Sequence, residues 1–254
     1  MSISSLQGES APDVLTALRD RQSMRAYKDQ PLDLDIVARI LDAARHAPSG
    51  TNTQPWHVVV VSDEARQRLC QRVLDTRQRE PERERSAQYG EYRYYADPMT
   101  EPYLSRRREV GWDMYRSMGV QRGDRAASWE VAARNYRFFD APVGLIFTLD
   151  RALEKGSWID LGIFLQSVML AARHYGVDTC AQGAWARYHD VIRDELAIAD
   201  DHIIVCGMSM GYGDSDAPAN AVRARKEPLE SFVRYVGGSP SKGQSRRHLD
   251  GATT

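Results

Sequence analysis

Cysteine is scarce in this sequence: three in 254 residues, Cys70, Cys180 and Cys206, odd in number and far apart. That spacing excludes a disulfide framework and a CxxC redox pair, and it points to a reducing, cytoplasmic setting. An excess of one charge is also lacking. Lys and Arg number 34 against 35 Asp and Glu, a formal net charge of -1. No basic footprint for nucleic acid and no acidic solvating tail follows from such a balance. The six histidines are scattered, with no HxxxH and no Cys/His spacing suited to zinc, so no metal is expected. There is no GxxxxGK[ST] phosphate loop. The opening MSISSLQGESAP has no basic segment leading into an apolar one, so it does not read as a signal peptide. Long apolar runs are missing too. The best stretch, Ser157 to Gly176, is broken by Asp160, Gln166, Ser167 and Arg173. It falls short of the roughly 18–20 apolar residues of a membrane span.

That same stretch organises what is present. Its apolar residues cover most of a helix circumference at 3.6 residues per turn, with Ser157 as the expected N-cap and Gly176 as the stop. Such a helix must be covered on every side. The sequence predicts a core helix at or near a dimer interface. The length suits one large domain or two small ones, and the ordered part is expected over residues 12–236, with flexible tails at 1–11 and 237–254.

A short helix is predicted over Asp13–Arg19, and a longer one follows Asp33 or Asp35, with Ile36, Val37, Ile40, Leu41 and Ala44 on one face. Between them, Arg21-Gln22-Ser23-Met24-Arg25 puts three polar side chains at alternate positions. In an extended segment these point the same way. Two guanidinium groups flanking a hydroxyl suit a phosphate. A solvated basic turn is the other reading. The loop Ala47–Trp56, between two prolines, feeds the strand His57–Val61, whose unbroken valines predict burial on both faces. Its Asn52 and Gln54 suit ligand contacts, or equally satisfy loop backbone. A helix after Ser62 or Asp63 runs into Arg77–Arg85, whose mixed charges read as a solvated face. Residues 86–136 hold seven of the twelve tyrosines, with Trp112 and Trp129. Over about 77–136 the chain reads as an excursion covering an aromatic ligand, or as ordinary helix packing. Buried strands are predicted at Val143–Leu149 and Ile203–Cys206, a loop at Val177–Trp185, a short helix around Ile192, and a basic knot of Arg223, Arg225 and Lys226.

Gly207-Met208-Ser209-Met210-Gly211 matches G-x-S-x-G, which would make Ser209 the nucleophile of a serine hydrolase. The elbow needs a helix directly after it, and Tyr212–Pro218 forbids one. The same glycines have the wrong spacing for a dinucleotide fingerprint.

Four segments in this order resemble the FMN-dependent nitroreductase superfamily, and within it the nitrobenzoate-reductase-like members. They are Arg21-x-Ser23-x-Arg25, Ala47-Pro48-Ser49-Gly50-x-Asn52-x-Gln54-Pro55-Trp56, Gly176-Val177-x-Thr179-Cys180-x-Gln182-Gly183, and the basic knot before Glu227-Pro228-Leu229. The resemblance implies an α+β fold, a three-layer α-β-α sandwich with a mixed, mainly antiparallel sheet, built as an intertwined homodimer with FMN at the interface. It implies that Arg21, Gln22, Ser23 and Arg25 hold the flavin, with Arg223, Arg225 and Lys226 completing the contacts. Pro48, Ser49, Gly50, Asn52 and Gln54 would reach it from the other chain, and Ala181, Gln182 and Gly183 would present backbone to its ring. Ala181 and Lys226 stand where the family more often has proline and arginine. The implied activity is NAD(P)H-dependent ping-pong reduction of nitroaromatics, the flavin carrying the chemistry and Arg25 tuning it. A halophenol, enone, quinone or free flavin as acceptor is the alternative.

Overall fold

The computed structural model describes residues 11–84 and 89–238. Most of both tails expected to be flexible, and residues 85–88 of the charged stretch, lie outside the described residues. The chain divides into one compact unit ending at Arg223 and a second beginning at Ala224.

Four strands form the sheet: β1 (Trp56–Ser62), β2 (Val143–Asp150), β3 (Asp178–Gln182) and β4 (His202–Gly211), in the order β1-β2-β4-β3. All three ladders are antiparallel. Among the described residues, a parallel link is the isolated bridge between Ser23 and Thr179. The helices are α1 (Val14–Asp20), α2 (Leu34–Ala44), α3 (Asp63–Arg79), α4 (Tyr103–Ser117), α5 (Arg125–Ala133), α6 (Lys155–His174) and α7 (His189–Leu196).

Strand alternation makes the three layers. Val143, Leu145, Phe147 and Leu149 of β2 face one core with Val37 and Ile40 of α2 and Leu161, Phe164 and Val168 of α6. Ile146 faces the other, with Leu69 and Val73 of α3, Ile192 of α7, and Tyr136, Phe138 and Trp185. Two glycines let those rings reach the sheet. A Cβ on Gly144 would meet the Phe138 ring at 2.5 Å, and one on Gly207 would meet Trp185 Cδ1 at 2.4 Å. Phe138 and Trp185 stack at 4.2 Å between centroids. Gly207 of the G-x-S-x-G match is therefore glycine for packing. Ser209 sits within β4, 0% exposed, with its Oγ 2.8 Å from the Tyr27 hydroxyl, which removes it as a nucleophile.

Several expectations change. The valine strand β1 is the sheet's edge, paired only with β2 on its inner side, and Val60 is exposed. Val177–Trp185 is not all loop: Asp178–Gln182 is the opposite edge strand. Helix α6 begins at Lys155 after Glu154, two residues before Ser157. Its cover is incomplete, because Ile159 is 68% exposed and Ile163 is also open. Helix α1, which packs on α6, leaves Val14, Leu15 and Leu18 open too.

The charged stretch is the largest change. Arg77 is 2% exposed, and its guanidinium lies 3.4 Å over the Trp129 ring and donates to Trp129 O at 2.7 Å. Arg83 is buried as well and forks onto Asp190 at 2.7 and 2.8 Å. These charges pin the excursion to the body of the fold rather than face water.

Glu91 is a second anchor. Its carboxylate accepts from Arg151, from Arg193 Nη2 at 3.0 Å and from the Ile204 amide at 2.9 Å, with His189 Nδ1 3.9 Å away. Burial alone would raise its pKa, but Arg151, the Ile204 amide and His189 together hold it below the usual value. A carboxylate with a depressed folded pKa contributes stability that is present above the unfolded pKa, about 4.3, and lost as pH falls through the folded value. The stability gap between the native chain and Glu91→Gln, read from urea unfolding, should be full at pH 7 and close as pH drops below about 4.3. A gap that stays constant down to pH 3 would contradict this role.

Candidate active site

The Arg21–Arg25 segment runs beside β3 in extended form, held by the Ser23–Thr179 bridge and by Met24 N donating to Thr179 O at 3.1 Å. Alternation then sorts its side chains. Gln22 and Met24 turn toward each other, Gln22 Nε2 lying 3.1 Å from the Met24 sulfur, and Met24 is buried. Arg21, Ser23 and Arg25 all act on the Cys180 thiol. Burial pushes that thiol's pKa up, while Arg25, a hydrogen bond with Ser23 and Arg21 pull the other way. The three hooks therefore share one side. Arg25 Nη1 donates to Ser23 O at 3.2 Å, and Arg223 Nη1 donates at 3.1 Å to the carbonyl of Asp20, the residue before Arg21. Among the described residues, none of Arg21, Arg25 and Arg223 has a carboxylate within ion-pair distance.

Asn220 fixes this segment and was not visible as a site residue in the sequence. It is buried, its Oδ1 accepts from Arg25 N at 2.6 Å, and its Nδ2 donates to Ala26 O at 2.9 Å and Asp214 O at 2.6 Å. Its own carbonyl takes a bond from Gln22 Nε2 at 3.3 Å. A lone Asn in a Pro-Ala-Asn turn carries no signal of that kind; only the tertiary fold brings it to Arg25.

Arg25 lines a cleft of about 480 Å³ with Cys180, Ala181, Gln182 and Gly183 on one side and the excursion on the other. That volume lies within the range of sites for small ligands and cofactors, roughly 300–1,000 Å³. From the excursion come Glu84, Tyr92, Tyr94, Tyr95, Arg107, Met114, Tyr115, Asn135 and Tyr136. Gln182 donates through Nε2 to Asn135 O at 2.8 Å, while its Oε1 is buried with no donor. A buried acceptor without a partner is costly unless something supplies one. A Cβ on Gly183 would come within 2.9 Å of the Tyr94 ring, so a side chain there would close off the cleft's floor.

Behind the cleft, Phe138, Phe139 and Asp140 adopt left-handed φ values of 52°, 55° and 67° in succession. Each such non-glycine residue costs about 1–2 kcal/mol, so the packing of Phe138 against Trp185 must hold the turn. Below it Glu84 accepts from Tyr136 OH at 2.6 Å and Tyr188 OH at 2.9 Å, with Arg77 Nε at 3.5 Å and Arg187 Nη1 at 3.4 Å. Burial first, and the adjacent Glu84 charge second, raise the pKa of both tyrosines, so they stay neutral donors at any ordinary pH.

The loop carrying Pro48, Ser49, Gly50, Asn52 and Gln54 is not in this cleft. It packs on α6, Gly50 N donating to the Asp160 carboxylate at 3.2 Å and Gln54 N to Ser49 Oγ at 3.0 Å. Thr51, Asn52 and Gln54 hold left-handed φ values of 48°, 61° and 47°, with Asn52 and Gln54 exposed. Three strained polar residues on a surface loop point to a task beyond folding. Arg225 and Lys226 fall in the second unit, where both are exposed.

The chain is similar to known proteins over most of its length. The chain is 40% identical over 226 residues to a nitrobenzene nitroreductase of Ectopseudomonas oleovorans, covering 89% of this chain and 98% of that one. It is 36% identical over 225 residues to a 4-nitrobenzoate reductase of Pseudomonas putida, covering 89% and 96%. The crystal structure of the FMN and NADPH-dependent nitroreductase NfnB from Sphigopyxis sp. strain HMH superposes with a TM-score of 0.83 at 35% identity, covering 89% of this chain and 100% of that chain. The sequence profile described as the nitroreductase family matches residues 18–212, and the chain belongs to that family.

Proposed function

We propose that this protein is an FMN-dependent oxidoreductase that uses NAD(P)H to reduce nitroaromatic compounds, working as a homodimer. The observation that carries the reading is Arg25, which lines the cleft of a nitroreductase-family chain and stands on the same extended segment as Arg21 and Ser23; neither arginine, nor Arg223, has a carboxylate partner among the described residues. A phosphate monoester brings between one and two negative charges near neutral pH, and unpaired guanidinium groups with a serine hydroxyl are the donor set that retains it. The buried Gln182 Oε1 offers an acceptor to a ring N–H, and Gly183, bare of a side chain, lets the Tyr94 ring lie directly against the floor. FMN held there by Arg21, Ser23 and Arg25 would supply two-electron chemistry between the nicotinamide and the nitro group. Arg25 would place positive charge where the reduced, anionic coenzyme needs it. No side chain is needed as a nucleophile.

The dimer is supported by the open apolar faces. Ile159 and Ile163 of α6, with Val14, Leu15 and Leu18 of α1, form faces that water would otherwise meet. The strained loop with Pro48, Ser49, Gly50, Asn52 and Gln54 lies outside its own chain's cleft and would complete the partner's. Ala181, Gln182 and Gly183 would border the ring, with Gln22 backing the phosphate segment. Sedimentation should give a dimer of the 28.7 kDa chain.

The kinetic test follows from one cleft serving both substrates in turn. Initial rates against NAD(P)H at several fixed nitroaromatic concentrations should give parallel lines in a double-reciprocal plot, after purification as a yellow protein bleached by NAD(P)H. Intersecting lines would show a ternary complex and overturn the scheme.

A further inference from the structure

The charges that line the cleft are Arg25, Glu84, Arg107 and Arg187. Arg187 pairs with Glu84, and Arg25 belongs to the phosphate-side cluster with Arg21 and Ser23. Arg107 is left. Among the described residues it has no hydrogen-bonded or carboxylate partner; its contact is with Tyr95, whose ring centre lies 4.4 Å from the guanidinium carbon. Stacking on a ring fixes the plane of a guanidinium while leaving its N–H edges for a ligand.

Helix α4 sets where that fork stands. Arg107, Met114 and Tyr115 are seven and eight residues apart, which puts them on one face, and all three line the cleft. Arg25 borders a smaller cavity with Met114, Tyr115 and Met118, toward the C-terminal end of α4. Arg107 also adjoins a surface hollow that runs along α4 from Leu104, Arg108, Gly111 and Trp112 to Tyr115 and on to Arg122. The rise between residues 107 and 114 is about 10 Å at 1.5 Å per residue. The cleft thus carries two cations, Arg25 and Arg107, with Met114 and Tyr115 also on its wall, and no carboxylate is found among the described residues that line the hollow beside Arg107, where Arg108 and Arg122 add positive charge.

We infer that Arg107, held flat on Tyr95, reads a negatively charged substituent on the ring of the nitroaromatic substrate, a carboxylate above all, and so sets preference for anionic over neutral acceptors. The inference rests on the proposed nitroreductase activity. A benzoate-type substrate would meet Met114 and Tyr115 with its ring, and its carboxylate would find a planar fork at the cleft's outer end. Because that end is open to water, the preference should shrink as salt rises.

The test compares the native holoenzyme with Arg107→Gln and Arg107→Lys on 4-nitrobenzoate and nitrobenzene. The ratio of kcat/KM for nitrobenzoate over nitrobenzene should fall about tenfold in Arg107→Gln, and less in Arg107→Lys, which keeps charge but loses the fork. Calorimetric binding of benzoate to the oxidised holoenzyme should weaken about as much, with benzamide unaffected. An unchanged ratio and unchanged benzoate binding would overturn the inference. A rise in KM for NADPH but not NADH, at an unchanged acceptor ratio, would assign Arg107 to the nicotinamide coenzyme's 2′-phosphate and overturn it too. Native enzyme that reduces neither acceptor would refute the proposed activity instead, and benzoate binding would still decide for or against Arg107.

Discussion

Alanine at Arg25 should strip the protein of most of its FMN during gel filtration and weaken rebinding between about 10- and 100-fold. The magnitude comes from losing hydrogen bonds to a charged group, worth roughly 1.5–3 kcal/mol. Arg25 suits this test because its backbone is already fixed by Asn220, through the 2.6 Å bond to Arg25 N, so side-chain truncation leaves the segment in place. Reduction of whatever flavin remains by NAD(P)H should also slow, since the cation that favours the anionic reduced form is gone. Fluorescence titration with FMN measures the first effect and stopped-flow absorbance the second. A variant that keeps its flavin through gel filtration and is reduced by NAD(P)H at the native rate would deny Arg25 both roles.

Glu84→Ala should be the most damaging single change to stability, at about 3–5 kcal/mol, the usual cost of removing one partner from a buried charge network. Arg187, Tyr136 and Tyr188 lose an acceptor at once, and Arg77 loses its ion-pair partner. Arg77 suffers most because it is almost wholly enclosed against Trp129 and cannot turn to water. Tyr136 lines the cleft, so activity should fall with stability. Glu84→Gln should lose less, since an amide oxygen can still accept from the tyrosines. Urea midpoints of the three proteins give the comparison, and a loss under about 1 kcal/mol for the alanine variant would show that the network is not what holds the excursion down.

The sequence determined those parts whose cause is local. Asp33 caps α2, and the 3.6-residue rhythm from Ile36 to Ala44 names its buried face. The alternation of Arg21, Ser23 and Arg25 gives three polar groups on one side wherever that segment lies extended. The four family segments were legible for the same reason, since each is a short run of residue types at fixed spacing.

Tertiary structure decided the rest. Four valines read alike in a central strand and in β1, an edge strand, because strand order is set by partners far along the chain. Asp178–Gln182 has no apolar run of its own, and its strand character comes from pairing with β4. Arg77 and Glu84 look like solvated charges until Trp129, Tyr136, Arg187 and Tyr188 close around them. A charge's burial depends on neighbours that only folding assembles, and the sequence carries no periodic signal for that. Arg107 follows the same rule: its helix and its tyrosine are readable, but that its fork stands without a carboxylate at the end of the cleft is a fact of three-dimensional packing alone.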